Sequence, residues 1–559
     1  MTDTAPSATP EVRRPGRGAS GLWLARIAIC AALVCALPMV AVALAALTGG
    51  TDTISHLAET VLGRYTQTTL LLVLMVSLGT LFIGVGSAWL VTMTRFPGVR
   101  AFEIALVLPL AFPAYVLAYA YTHVLDHPGI VQSLLRDVTG WGARDYWFPE
   151  IRSLGGAAAM LVLVLYPYVY LLARAAFLQQ SATTFLAARA LGSGAWAAFF
   201  RISLPLARPA IAAGVLLAVM ETIADFGTVA YFGVQTFATG IYTSWFSMAD
   251  RAGAAQLALC LLSFALLLAM LERIQRGRAQ YHNASRRQQS MEPAVLSPGQ
   301  SALAMILCGT PVLLGAVLPV VILSTMALDA EQNLLSPRYV RFIGNSLTLA
   351  SIAALVTVCV AVTIGFYQRL LPGRGSSTAA YVARLGYAVP GGVIAVGLLV
   401  PFAAFDNALD GFMRRSFDIS TGLLITGSIW LLIVAYMVRF LAAALGAYEG
   451  GQAMVPANMD AAARSLGQTP GGTLRRVHLP ILAPSLLTAL LIVFVDVMKE
   501  LPATLIMRPF NYDTLAVQAY RLASDERLEG AAVPSLVIVA IGLLPVILIC
   551  RQVGRQRKG

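Results

Sequence analysis

Charge is scarce in this chain. Asp, Glu, Lys and Arg make up 12% of its 559 residues, against about 25% in a soluble domain. Lysine is nearly absent: Lys499, in DVMKEL, and Lys558, in RQRKG, are the two. Neither stands in the G-x-x-x-x-G-K-S/T loop whose backbone amides and lysine cradle phosphates, so the chain does not bind ATP by that device. The six cysteines (Cys30, Cys35, Cys260, Cys308, Cys359, Cys550) all lie in apolar runs, with no C-x-x-C and no metal-ligand spacing. They read as small packing residues. His56, His123, His127, His282 and His478 are scattered, no Ser/His/Asp constellation is apparent, and nothing argues for catalysis.

What the chain has instead is hydrophobic length. It is 58% hydrophobic, with a mean hydropathy of +0.75. A membrane span needs about 20 apolar residues. Candidate spans are 22–47, 70–92, 101–121, 154–178, 208–230 and 253–271, then 301–327, 345–366, 378–403, 421–444, 483–506 and 531–550. The run 22–47 is longer than the h-region of a signal peptide, about 7–15 residues, so it reads as the first span. The expected fold class is an all-α polytopic membrane protein of about twelve transmembrane helices.

The net charge of +12 does not point to nucleic acid, because the basic residues lie in short loops between apolar spans. A positive-inside bias accounts for them. Arg273, Arg276, Arg278, Arg286 and Arg287 crowd the segment 273–300; Arg13, Arg14 and Arg17 precede the first span; Arg551, Arg555, Arg557 and Lys558 follow the last. Both termini and the central segment are therefore expected in the cytoplasm. The organisation expected is a tail at 1–21, a six-span half at 22–272, a basic linker at 273–300, a second six-span half at 301–551 and a tail at 552–559. Six is even, so the halves enter the membrane in the same sense, as parallel repeats.

One segment occurs twice. Residues 187–211 read AARALGSGAWAAFFRISLPLARPAI and residues 462–486 read AARSLGQTPGGTLRRVHLPILAPSL, at an offset of 275. In both, Gly and Pro stand 13 apart: Gly192 to Pro205, and Gly467 to Pro480. Local chemistry predicts a short helix, a glycine turn, a second short helix and a Leu-Pro step into a span. Thr469 and Pro470 form an N-cap with proline at the first helical position. An exposed helix carrying Arg201, or Arg475 and Arg476, suits a groove in a soluble partner; an ordinary interfacial helix is the alternative. Duplication at fixed spacing favours docking.

The pattern resembles the EAA loop of ABC importer permeases, with Ala187, Ala188, Gly192, Leu204 and Pro205 in the stretch 186–208, and Ala462, Ala463, Gly467, Leu479 and Pro480 in the stretch 460–483. The Glu of that motif is absent: Leu186 and Ala461 stand there, with Asp460 one residue earlier. The stretches 96–121, 221–242 and 496–520 are similar to ferric-iron permeases with two fused halves. The resemblance covers the chain from about residue 22, and thiamine, sulfate, molybdate and polyamine permeases share the frame. It implies a type I importer permease fold in the bacterial inner membrane. The partners it implies are two copies of a cytoplasmic ABC ATPase that uses ATP and Mg, and a periplasmic binding protein that carries much of the specificity. No cofactor and no fixed metal site is expected in this chain. A twelve-helix secondary transporter is the competing class, and it has no evident use for two docking helices.

The same offset recovers a second duplication. Glu221 and Asp225, four residues apart, are expected on one helix face. Their counterparts at that offset are Asp496 and Glu500, with Lys499 beside them. Charges inside a membrane are costly and face a cavity or a partner. Two roles fit: oxygen ligands lining the path of a hard cation, or a polar network pinning the fifth and eleventh spans together. Pro109, Pro113, Pro390, Gly391 and Gly392 fit either a path lining or kinks that help helices pack.

Overall fold

A computed structural model describes residues 19–178, 180, 199–279, 294–330 and 336–555. Apart from two short strands, the regular structure of those residues is helical. Long apolar runs with internally satisfied backbones give α1 (Ala19–Thr48) and, after α2 (Thr51–Leu57) and a π turn, α3 (Gly63–Met93). Next come α4 (Val99–Ala105), α5 (Ala114–Leu125), α6 (Ile130–Thr139) and α7 (Leu154–Leu178). The first half continues through α8 (Leu204–Ala224), α9 (Gly227–Tyr231), α10 (Phe237–Tyr242) and α11 (Arg251–Ala279).

The second half opens with α12 (Pro298–Val312), α13 (Leu318–Asp329), α14 (Pro337–Leu370) and α15 (Arg374–Leu385). It proceeds through α16 (Gly391–Phe417), α17 (Ile429–Gln452), α18 (Ala457–Ser465) and α19 (Pro470–Thr473). The last helices are α20 (Leu479–Met498), α21 (Pro502–Met507), α22 (Leu515–Ser524) and α23 (Leu528–Arg555). Strands β1 (Thr94–Arg95) and β2 (Ala294–Val295) pair in parallel and bring the end of the basic linker back to the end of α3.

Eleven described helices are long and apolar enough to cross a membrane, and twelve if the bent pair Val99–Ala111 and Ala114–Thr139 counts as one span. The run 101–121, expected as a continuous helix, is therefore corrected. It turns through 92° at Phe112–Pro113, because Pro113 has no amide to donate and drives Phe112 into extended backbone. The run 378–403 breaks in the same way at Val389–Pro390.

The halves exchange their first spans. Helix α1 packs against α14, α15 and α16 of the second half as well as on α11 of its own, while α13 packs on α5 of the first half as well as on α23. The crossings are close. A Cβ on Gly397 would lie 2.3 Å from the Pro38 carbonyl oxygen, so only glycine lets α16 approach α1 there. On the other side, Tyr121 donates to the Leu314 carbonyl at 2.6 Å. That carbonyl lies in the π turn Leu313–Val317 and would find its donor five residues on, where Pro319 has none.

Candidate translocation path and docking segment

Of the repeated segments, Ala187, Ala188 and Gly192 lie outside the described residues. Leu204 and Pro205 open α8 directly after a π turn at Phe199–Ser203. In the second copy, α18 closes in a Schellman motif: Gly467 donates to Arg464 and Gln468 to Ala463, with Gly467 at φ +76°. Ala463 is buried and Ala462 exposed. The Thr469 hydroxyl accepts from the Gly472 amide at 3.1 Å, as the N-cap of Pro470.

The expectation of a separate second helix is corrected. From Pro470 the chain runs without interruption to Met498. Leu479-Pro480 lies inside that helix, and the π turn Leu474–His478 before it widens the backbone where the Pro480 ring would crowd it. The π turns at Phe199–Ser203 and Leu474–His478 occupy equivalent positions, related by the offset of the repeat.

Asp460, beside the missing motif Glu, has a defined role. Its carboxylate accepts from Arg369 Nε at 2.7 Å and pairs with His478 Nε2 at 2.7 Å. Arg369, at the end of α14, also donates to the Val455 and Pro456 carbonyls at the turn between α17 and α18. His478 is fully buried, with its ring edge-on to Phe366. Burial alone would raise the Asp460 pKa, but the hydrogen bonds from His478 and Arg369 outweigh it and hold the carboxyl below its ordinary value. The second copy of the repeated segment is thus clamped to α14 and to the base of α20. The offset positions in the first half are Thr94, Phe185 and Ser203, which carry none of this chemistry.

The carboxylate pairs do not share helix faces as expected. Helix α8 ends at Ala224, and Asp225 is extended (φ −67°, ψ 129°). Asp225 accepts from the Thr228 and Val229 amides at 3.1 Å each and from the Thr228 hydroxyl at 3.0 Å, so it caps α9. Glu500 does the same for α21, accepting from the Ala503 amide at 2.9 Å, the Thr504 amide at 3.0 Å and the Thr504 hydroxyl at 2.6 Å. Pro502, at the start of α21, prevents α20 from running on. The members of each duplicated pair thus differ in role. Asp225 and Glu500 cap helices, while Glu221 and Asp496 lie on the last turn of a long helix.

Glu221 accepts from the Tyr387 hydroxyl at 3.1 Å and lies 4.0 Å from Arg439. Arg439 also donates to Glu500 at 3.2 Å. Lys499 pairs with Asp496 at 2.9 Å. Tyr168 on α7 is within electrostatic range of Glu221 and Asp496. The structure therefore brings Glu221 and Glu500 to one guanidinium, pairs Asp496 with Lys499, and engages the Asp225 carboxylate in its cap. Among the described residues no three His, Cys, Asp or Glu side chains are grouped to hold a metal ion. A Cβ on Gly391 would lie 2.4 Å from Arg439 Nη1 and 2.7 Å from Glu500 Oε1, so the helix break at Pro390 and the glycine after it make room for this ion pair.

Arg439, Tyr387, Arg369 and His478 are absent from the sequence-based candidates. The signal for Arg439 was present: it is the one charged residue in the apolar run 421–444. Nothing local marks the other three.

The profile of the binding-protein-dependent transport system inner membrane component family matches residues 80–280 and again 358–557. The chain belongs to this family. It is an ABC permease of two fused halves and a multi-pass inner-membrane protein. The permease is 24% identical over 539 residues to the Fe(3+)-transport system permease protein FbpB 2 of Haemophilus influenzae, covering 94% of this chain and 97% of that one. It is 25% identical to the ferric transport system permease protein FbpB of Actinobacillus pleuropneumoniae, over 84% of this chain and 69% of the relative. The molybdenum transport system permease protein ModB of Escherichia coli (strain K12) is 31% identical over 228 residues, which is 96% of that protein but 38% of this permease. The internal repeat is thus a whole permease half written twice.

At the far end of α7 from the repeated segment, Arg152 grips Glu526 with two hydrogen bonds of 2.6 and 2.7 Å, pairs with Asp126 at 3.0 Å and lies over the Tyr231 ring. This joins loop 122–153 of the first half of the permease to loop 507–530 of the second.

Proposed function

We propose that this permease is the membrane subunit of an ATP-driven importer whose cargo is ferric iron handed over by a binding protein. Separate ATPase subunits dock on the two repeated segments, one at each, and hydrolyse the ATP. The termini and the basic linker face the cytoplasm, and the loops joined by Arg152 and Glu526 face the binding protein. Ala187, Ala188, Gly192, Leu204 and Pro205, with Ala462, Ala463, Gly467, Leu479 and Pro480, form the two docking surfaces. Glu221, Asp496 and Lys499 line the path, with Asp225 and Glu500 shaping it from their caps. The two halves alternate between inward- and outward-facing arrangements as the ATPases close and open.

The observation that carries the cargo reading is the relationship to ferric permeases along nearly the whole chain. The path chemistry agrees: four carboxylates (Glu221, Asp225, Asp496, Glu500) against two cations (Arg439, Lys499) leave a negative balance, and carboxylate oxygen suits a hard cation. Molybdate is the second reading, from the similarity to ModB, but an oxyanion would meet repulsion in the same path.

The test is labelled-iron uptake in a strain lacking this permease and every other iron route, compared with molybdate and thiamine uptake. Iron uptake that depends on the permease supports the proposal. Unchanged iron uptake with lost molybdate or thiamine uptake reassigns the cargo.

A further inference from the structure

We infer that Arg439 is the specificity and gate residue of the permease: its guanidinium is the resting counter-ion of the path, and an imported cation passes by taking its place at Glu221. This rests on the proposed import of a cation.

Arg439 stands ten residues into the 24-residue α17, about 15 Å along it. It is therefore near the midpoint of a membrane-length helix, where an unpaired charge is most costly. Its two partners come from opposite halves: Glu221 ends α8 in the first and Glu500 precedes α21 in the second. One guanidinium thus ties the halves together. The equivalent helix of the first half, α7, offers no such group: its basic residue is Arg174, which is committed to Glu103 at 2.9 Å.

The two contacts are unequal, and the inequality sets the order of events. The Glu500 side chain is 1% exposed and accepts three hydrogen bonds from α21 besides the one from Arg439. Holding it without a cation would leave a buried charge uncompensated, so Arg439 stays with Glu500. Glu221 is 29% exposed, has one hydrogen bond, from Tyr387, and lies 4.0 Å from the guanidinium. It is the partner that lets go. When the halves part, Glu221 loses its guanidinium and faces the path beside Lys499, whose charge is taken up by Asp496, while Arg439 remains as a positive charge on the opposite wall. A stray cation, monovalent or divalent, meets that charge at close range, whereas a cation delivered in the ATP-driven cycle pairs with Glu221 in the place that Arg439 has left.

The test uses the purified full chain in proteoliposomes without ATP or partners, with Mn2+ entry read by quenching of trapped calcein. Arg439→Gln removes the positive barrier and leaves both carboxylates, so Mn2+ entry rises about tenfold over the unaltered chain. Arg439→Lys restores the barrier, and adding Glu221→Gln to Arg439→Gln brings entry back down. Equal Mn2+ entry in the unaltered, Arg439→Gln and Arg439→Lys chains overturns the inference, and so does a leak of the same size in Arg439→Lys, which marks a merely structural role. If Arg439→Gln fails to assemble, Glu221→Gln decides: it must leave Mn2+ exclusion intact and slow ATP-driven uptake by the complete importer about tenfold. Uptake unchanged by Glu221→Gln overturns the inference. Because the leak readout needs no native cargo, a wrong assignment of iron leaves its result unaffected.

Discussion

Replacing Asp460 by Asn is expected to loosen the repeated segment around α18 from the membrane helices without unfolding the permease. The substitution keeps the shape and removes the charge. Asp460 holds two short charge-assisted hydrogen bonds, to Arg369 and His478, and its side chain is 25% exposed against 17% for Arg369 and 0% for His478. A hydrogen bond to a charged group contributes about 1.5–3 kcal/mol and a neutral one about 0.5–1.5. Losing the charge on both bonds therefore costs about 2–3 kcal/mol. The Arg369 guanidinium, left without its counter-charge in a largely shielded position, adds up to about 1 kcal/mol. A total of about 3 kcal/mol raises the population of the locally open segment by about two orders of magnitude. Hydrogen exchange of residues 457–465 in the detergent-solubilised permease reads this directly, as a loss of protection of that size. The pH dependence follows from the lowered carboxyl pKa. A carboxyl whose folded pKa is below its unfolded value, about 3.9, contributes in full above that value and is lost as pH falls through the folded one. The clamp should thus be insensitive to Asp460 titration between about pH 5 and 8 and weaken below about pH 4. Protection of 457–465 unchanged in Asp460→Asn would refute the clamp.

Gly467→Ala forces a Cβ onto a φ of +76° and should destabilise the α18 turn by about 1–2 kcal/mol, seen as faster exchange at Arg464–Gln468 and weaker copurification of an ATPase. Gly391→Ala places a Cβ against both Arg439 and Glu500. Overpacking of about 1–3 kcal/mol should appear as a lower melting temperature together with loss of uptake, and normal uptake would mean that the ion pair can move freely. Arg152→Ala breaks a pair whose Glu526 side chain is 61% exposed, so the change in stability should stay below about 1 kcal/mol and shrink further in high salt. The Glu526 carboxyl, held below its ordinary pKa chiefly by the Arg152 hydrogen bond, should move up towards the usual glutamate range in that variant, as an NMR titration would show.

Much of this molecule was legible in its residues, and the reason is that the legible parts are local. A run of about twenty apolar residues can satisfy its backbone in a bilayer only as a helix, so the spans could be counted. Gly467 followed by Thr469-Pro470 dictates a left-handed cap and a new helix start wherever it occurs, and both form. The repeat offset carried the carboxylates, the Leu-Pro steps and, in the structure, the π turns. The expectation that Glu221 and Asp225 share a face failed because it assumed that the helix continues. A four-residue spacing means one face only when no residue between leaves the helix, and Asp225 leaves it to cap its successor.

By itself, then, the sequence determined a polytopic helical protein made of one permease half written twice, with its Gly/Leu-Pro segment and its intramembrane charges at matched positions. Tertiary structure alone decided which charges meet. Arg439 on α17 reaches Glu221 at the end of α8, in the other half, and Asp460 on α18 reaches back to Arg369 at the end of α14. No local propensity encodes such contacts: they arise where helices from both halves, with their first spans exchanged, pack against one another. The repeat made the two halves equivalent, and the packing made them unequal, with the guanidinium of Arg439 between the carboxylates and the Asp460 clamp both contributed by the second half.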